Sequence, residues 1–292
     1  MTATVVLLHG RSQEFKDVAA LTQSWLDGLD IGLRSAGHPP VRRHEVVMPF
    51  YGNELYHATA ASAAAPIRLE STVDRPGPFH PHLPAEVGEV ERMLLADQAR
   101  EARVPVVQQE GIDAVLSWGL ARRVLDSLAR RTRVDQAIIT EHLRDVAVYL
   151  TVGRDAVLSR VRRDLPDDGD LVVVSHSLGT VVARDLLVDQ GLRARTALWV
   201  TAGSPLGIDA VRRNLLPGGQ TNPAVPWVST YDVNDIVALG HPFAPKWGSP
   251  EVIDIEVEND AEPHSIVRYL SHADVAVHIG RALATTAGAP GP

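Results

Sequence analysis

Ser177 stands in the run Leu171-Val-Val-Val-Ser-His-Ser-Leu-Gly179. Its four leading apolar residues read as a buried strand, and the following Thr180-Val-Val-Ala-Arg-Asp-Leu-Leu-Val188 reads as a helix. A serine on so tight a strand-to-helix turn is held in a strained backbone conformation that lifts its Oγ above the sheet edge, where it can act as a nucleophile. Small residues two before and two after it, Ser175 and Gly179, let strand and helix approach. The usual pattern begins with glycine; here Ser175, small but carrying a Cβ, takes that place. At the start of the helix the N–H of Leu178 can donate to an oxyanion. A serine in an ordinary strand-to-helix turn matches the same short pattern by chance, so its meaning depends on what else the chain brings to that edge.

Three further segments bear on this. His9-Gly10-Arg11-Ser12 follows an apolar run at Thr4–Leu8, and Gly10 permits close backbone approach, so the N–H of Arg11 is a candidate second oxyanion donor; a plain glycine turn is the competing reading. Trp227–Val237 is a strand followed by two acids, and an acid after a late strand can fix the tautomer of an imidazole and stabilise its charged form. Asp235, followed by Ile-Val, is preferred over Asp232, although either can cap a turn. His264 lies in the loop after the run Val252–Val257, at a strand's carboxyl end, where a base would reach Ser177; His272 and His278 are its rivals, placed at or inside the final helix. The order Ser177, Asp235, His264 is one of the three chain orders in which Ser-His-Asp triads occur.

These residues need a scaffold that gathers strand ends on one edge. Strands are expected at Thr4–Leu8, His44–Met48, Leu171–Val174, Thr196–Thr201, Trp227–Thr230 and Val252–Val257, and helices at Asp17–Ala36, Leu178–Gln190 and His272–Leu283. Alternation of strands with helical patterns predicts a mainly parallel α/β sheet flanked by helices. About 120 residues separate the second strand from the third, far beyond an ordinary crossover. Residues near 58–84, rich in Ala, Pro and His, read as irregular loop, residues 85–165 carry helical periodicity, and the stretch near Val134–Leu165 serves as the crossover helix. The expected organisation is a core of residues 1–57 and 134–286, a largely helical cap insertion over 58–133, and a flexible tail at 287–292. The small, breaker-rich stretch after Arg281 reads as frayed.

Taken together, strand-His-Gly, strand-Ser-His-Ser-Leu-Gly, the strand-end Asp and the last-loop His resemble the α/β-hydrolase superfamily. The segment Leu198-Trp-Val-Thr-Ala-Gly-Ser-Pro-Leu-Gly207 is similar to the Gly-Ser-Pro stretch of its lipase-like members. Phe50-Tyr51-Gly52 and Asn259-Asp-Ala-Glu-Pro-His-Ser265 look like bacterial lipase/esterase-like proteins. The resemblance spans nearly the whole chain apart from residues 50–130. It implies an α/β-hydrolase fold of about six strands, with the family's two leading strands missing because the His-Gly strand begins at residue 4. It also implies a cofactor-free serine hydrolase that cleaves carboxylic esters through an acyl-enzyme, with Ser177 as nucleophile, His264 as base, Asp235 as orienting acid, and Arg11 and Leu178 as oxyanion donors. A peptidase or thioesterase would use the same triad, and a catalytically silent binding module is the alternative of a different class. Fold kinship does not fix a substrate.

Bulk properties narrow the field further. The 292-residue chain is 45% hydrophobic and 22% charged, as expected of a soluble globular protein with one large core. A net charge of −8 argues against a nucleic-acid partner. The absence of cysteine excludes thiol catalysis, Cys-zinc sites and disulfides. No segment reads as a signal peptide or membrane span, so a cytoplasmic location is expected. His80-Pro-His82 has ligand-like spacing but no supporting acids, so no metal is expected; Asp167-Asp-Gly-Asp170 reads as a turn rather than a calcium loop. His176 reads as part of the wall beside the nucleophile. In Ala114–Arg133, Leu116, Leu120, Val124 and Leu128 recur every four residues with arginines off the stripe. That pattern fits a cap helix packed on the body; contact with an anionic membrane or lipid headgroup, with Trp118 as anchor, is the sharper alternative.

Overall fold

The computed structural model describes residues 3–64, 84–104, 118–132, 135–248 and 251–288. Six strands, β1 (Thr4–Leu8), β2 (Val46–Val47), β3 (Leu171–His176), β4 (Thr196–Ala202), β5 (Trp227–Tyr231) and β6 (Val252–Glu256), form one all-parallel sheet in the order β2-β1-β3-β4-β5-β6. The chain order reverses between β1 and β3, and such a switch point opens a crevice between the loops that leave the two strands. Here those loops are His9–Arg11 and the turn at Ser177.

Alternate side chains of the strands build two cores, as the two-residue period requires. Val5, Leu7, Val172, Val174, Leu198, Val200 and Val228 pack with Trp25, Leu29 and Leu33 of α1 (Val18–Ser35) and with Val275 and Ile279 on the helix that ends the described chain. On the opposite face Val6, Leu8, Val173, Trp199 and Trp227 join a larger cluster that also holds residues of the insertion. Trp199 and Trp227 stack there, ring centroids 4.4 Å apart.

The insertion is helical where it is described. α2 (Gly52–Ala64), α3 (Ala85–Glu101) and α4 (Trp118–Thr132) precede α5 (Gln136–Val148), which passes through a π-helical turn at Tyr149–Gly153 into α6 (Arg154–Asp164). Residues 58–64, expected as irregular loop, are therefore helix; their alanines favour that state. The expected 134–165 crossover is one helical path broken by the π turn. In α4, Val124, Leu125 and Leu128 are buried while Arg123 and Arg130 are exposed, so that stripe faces the body. Leu116 and the His80-Pro-His82 pair lie outside the described residues.

Downstream, α7 (Leu178–Leu186) is shorter than expected because Asp189 caps a separate α8 (Gln190–Arg195), accepting from the Leu192 N–H at 3.0 Å. A short α9 (Asp209–Arg213) follows β4, and α10 (Ile266–Ser271) and α11 (Ala273–Gly288) follow β6. The stretch after Arg281 continues α11 rather than fraying, as its alanines permit; residues 289–292 of the expected tail lie outside the described residues. The second strand keeps only Val46–Val47 of the expected His44–Met48, since Arg43–Glu45 curl into a 3₁₀ turn. The Asp167–Asp170 segment is a turn around Gly169, clasped by Arg195 through the carbonyls of Pro166, Asp167, Asp168 and Gly169. Among the described residues no helix is long and apolar enough to cross a membrane.

Candidate active site

Ser177 sits between β3 and α7 with φ 54° and ψ −129°. That region is costly for a non-glycine residue and persists only where the surroundings enforce it. Enforcement here is steric and hydrogen-bonded. The Ser177 N–H donates to Ala202 O on β4 at 3.0 Å, while Thr180 donates its N–H (3.0 Å) and its Oγ1 (2.7 Å) to Ser177 O. α7 crosses β1 so closely that a Cβ at Gly179 would strike the Leu8 and His9 carbonyls. A Cβ at Gly10 would lie 2.9 Å from Ser177 Cβ and 3.3 Å from its Oγ. Ser177 Oγ, buried, has no hydrogen-bond partner.

Ser175 explains its own departure from glycine. It is fully buried, donates to Val200 O at 2.9 Å and accepts from Trp199 Nε1 at 2.9 Å. A glycine there would leave the indole N–H of the stacked tryptophan without an acceptor.

Asp235 and His264, on loops after different strands, meet. His264 Nδ1 donates to Asp235 Oδ2 at 2.7 Å, which leaves Nε2 as the basic nitrogen. Asp235 is buried, and it also accepts from the Val237 N–H (2.9 Å) and from Tyr269 Oη (2.9 Å). Burial by itself would raise its carboxyl; the charge and hydrogen bond of His264, with these two donors, outweigh it and hold the group below the usual carboxylate range. Asp232 does the work of a turn cap instead: its oxygens accept from the N–H groups of Asn234 (2.7 Å) and Asn259 (2.6 Å). His272 is bonded to Asn259 Oδ1 at 3.0 Å, and His278 lies within α11, so neither rival reaches the acid.

Several residues that sequence reasoning did not single out complete the site. Tyr269 accepts from the Asp232 N–H (2.9 Å) while donating to Asp235, so one phenol couples both acids of the loop. A tyrosine on an amphipathic helix carries no signal of such a bond. Gly203, at φ 55°, lies under the pair; a Cβ there would stand 2.8 Å from Asp235 Oδ2 and 3.0 Å from His264 Nδ1. His176 is indeed a wall, and more: its Nε2 donates to His264 O at 3.0 Å and its ring packs 4.5 Å from the His264 ring. Burial, then the nearby His264, holds His176 well below the ordinary histidine value, so it stays neutral.

On the other side of Ser177, His9 is buried and stacked on Tyr51, centroids 4.0 Å apart. Its Nδ1 donates to Gly10 O (2.8 Å), its Nε2 accepts from the Tyr51 N–H (3.2 Å), and its own carbonyl accepts from Tyr51 Oη. This clamp fixes the turn that presents the Arg11 backbone. The Arg11 side chain points to α5 and pairs with Asp145 (2.8 Å) and Glu141 (2.9 Å). The Leu178 N–H opens α7 as one of the donors that a helix start leaves unpaired. Among the described residues no group of three or more His, Asp or Glu is placed to hold a metal ion. No family model, curated protein or solved structure matches the chain.

Proposed function

We propose that this chain is a serine hydrolase of the α/β-hydrolase type that cleaves carboxylic esters through an acyl-enzyme. The observation that carries the proposal is the strained Ser177, its Oγ unbonded, on the edge where His264 is held by Asp235. A backbone outlier at the carboxyl edge of a sheet, beside an oriented imidazole, is a combination that stability does not require.

In this reading neutral His264 takes the Ser177 proton through Nε2 as Oγ attacks the ester carbon, and Asp235 stabilises the resulting imidazolium. The N–H groups of Leu178 and Arg11 receive the oxyanion; removal of one such donor typically lowers kcat by ~10²–10³. His264 then returns the proton to the leaving oxygen, and water releases the acid from Ser177 by the same steps reversed.

Labelling with a fluorophosphonate probe, followed by mass spectrometry of the adduct, tests this. An adduct on Ser177 that disappears in Ser177→Ala is expected, and screening of p-nitrophenyl esters against matched thioesters and amides then identifies the bond cleaved. No adduct on the folded wild-type protein would overturn the proposal and leave a binding module.

A further inference from the structure

His264 lies on an exposed loop, and its side chain is 36% open to solvent. A group on such a loop moves more than one on a strand unless its backbone is tied down. The loop's own bonds are short-range. The Glu262 N–H donates to Asn259 O (3.1 Å), Asn259 Nδ2 to Pro263 O (3.1 Å) and the Ser265 N–H to Glu262 O (2.9 Å). Asp235 grips the His264 ring at Nδ1, which does not by itself fix the backbone that carries the ring.

His176 supplies that second hold. It ends β3, in register with Ala202 of β4, and immediately precedes Ser177. Its Nε2 donates to the His264 carbonyl at 3.0 Å. A carbonyl only accepts, so this bond puts the ring proton on Nε2. The ring is braced: it packs 4.5 Å from the His264 ring, edge-on to Trp25 of α1 at 6.1 Å and tilted against Tyr269 of α10 at 6.4 Å. Tyr269 in turn donates to Asp235. His264 is thus clamped at its ring by one bond and at its main chain by another, and the second starts from the residue beside the nucleophile turn. Filling this space needs no imidazole. A phenylalanine would pack against Trp25 and Tyr269 without burying a polar ring, which is unfavourable unless that ring is hydrogen-bonded. Burial keeps His176 uncharged, so it donates without setting a positive charge beside the ring of His264.

Resting on the serine-hydrolase reading, we infer that His176 is a positioning residue for the base: its Nε2–H ties the main chain of the His264 loop to the strand end that carries Ser177. A reacting group misplaced by about 1 Å can lose ~10²-fold in rate, so loss of this tie is felt in kcat.

The test compares wild type, His176→Phe and His176→Gln, using kcat and KM for the p-nitrophenyl ester that wild type turns over fastest. Phenylalanine keeps a flat ring and removes the donor; glutamine has an uncharged Nε2–H at a similar reach. His176→Phe is expected to lower kcat at least tenfold with KM within threefold, and His176→Gln is expected to recover most of that loss. A smaller loss in His176→Phe, an equal loss in folded His176→Gln, or a loss carried by KM alone would overturn the inference. Nitrogen-15 shifts of the wild-type histidine rings test it without any substitution. His176 is expected as the neutral Nε2–H tautomer at pH 7, and a proton on Nδ1 would refute the bond. Absence of both ester turnover and a fluorophosphonate adduct on wild type would instead defeat the hydrolase reading on which the role rests.

Discussion

Gly203→Ala is the sharpest perturbation of the Asp235–His264 pair that leaves Ser177, Asp235 and His264 unchanged. Two contributions add. The backbone is at φ 55°, where an L-residue with a Cβ costs roughly 1–2 kcal/mol. The new methyl would also sit 2.8 Å from Asp235 Oδ2, 3.0 Å from His264 Nδ1 and 3.2 Å from His264 Cε1. Comfortable separations for such atoms are about 3.5–4.0 Å, so the pair must retreat by more than half an ångström. Asp235 cannot yield freely, because Val237 N–H and Tyr269 Oη hold it. His264 must therefore move, lengthening its 2.7 Å bond to Asp235 and turning its ring. A misplacement of about 1 Å at a reacting group can lower the rate by ~10²-fold. Gly37→Ala is the matched control, since Gly37 has φ 77° and a methyl added there meets nothing within 4 Å, so it reports the backbone contribution alone. Urea unfolding and the second-order rate of fluorophosphonate inactivation are measured on both. The expectation is a stability loss of roughly 1–2 kcal/mol in Gly37→Ala and a larger one in Gly203→Ala, with labelling normal in Gly37→Ala and at least tenfold slower in Gly203→Ala. Labelling of Gly203→Ala within threefold of wild type would refute the contact and, with it, the described placement of the pair.

Three other outcomes are expected. Ser175→Gly, which restores the more usual motif, is expected to destabilise by about 1–3 kcal/mol because it orphans the buried Trp199 indole N–H; an unchanged midpoint in urea would contradict that account. Tyr269→Phe is expected to cost a similar amount of stability, to raise the Asp235 carboxyl toward its ordinary range, and to lower kcat with KM retained; a change confined to KM would assign Tyr269 to substrate binding. Acid is expected to weaken the fold through its buried histidines. Burial pushes His9 and His241 down to about 4 from 6.5, so between these values the unfolded chain binds protons that the folded chain refuses, and stability falls as pH drops through that window. Each contributes a loss of about 2 kcal/mol at pH 5 relative to neutral pH, with His142 and His176 acting in the same direction and Glu91, raised by burial to about 8, acting in the opposite one; a change in unfolding free energy between pH 7.5 and pH 5 that is the same in His241→Asn as in wild type would rule this out.

Short-range patterns made much of this molecule legible. The apolar runs and their spacing locate β1, β3, β4 and β5, because a strand buried on both faces is written in consecutive residues; they also mark the positions of the two edge strands, and the parallel α/β class follows from alternation with helices. The elbow at Ser177 is equally local, since strand, turn and helix lie within a dozen or so residues. Likewise His264 and Asp235 could be chosen because each follows a strand's carboxyl end. The sequence reading went astray where patterning is weak or composition misleads: at the alanine-rich 58–64 and after Arg281, where helix replaced expected loop, and at His44–Met48, where the strand shrank to two residues.

What the fold alone decided are relations between residues distant in the chain. Which acid pairs with His264 depended on Asn259 and Asn234 engaging Asp232 and on Tyr269 reaching Asp235 from a helix 34 residues later. The place of Gly203 beneath the pair, the donation from His176 to the His264 carbonyl, and the approach of Gln98 to Ile236 from a helix 138 residues earlier are likewise contacts that no local pattern encodes. Periodicity records which face of an element is buried, whereas the partner across that face is set only when elements pack. The types and loop positions of Ser177, Asp235 and His264 were therefore readable from the chain, and their orientation was fixed by tertiary structure.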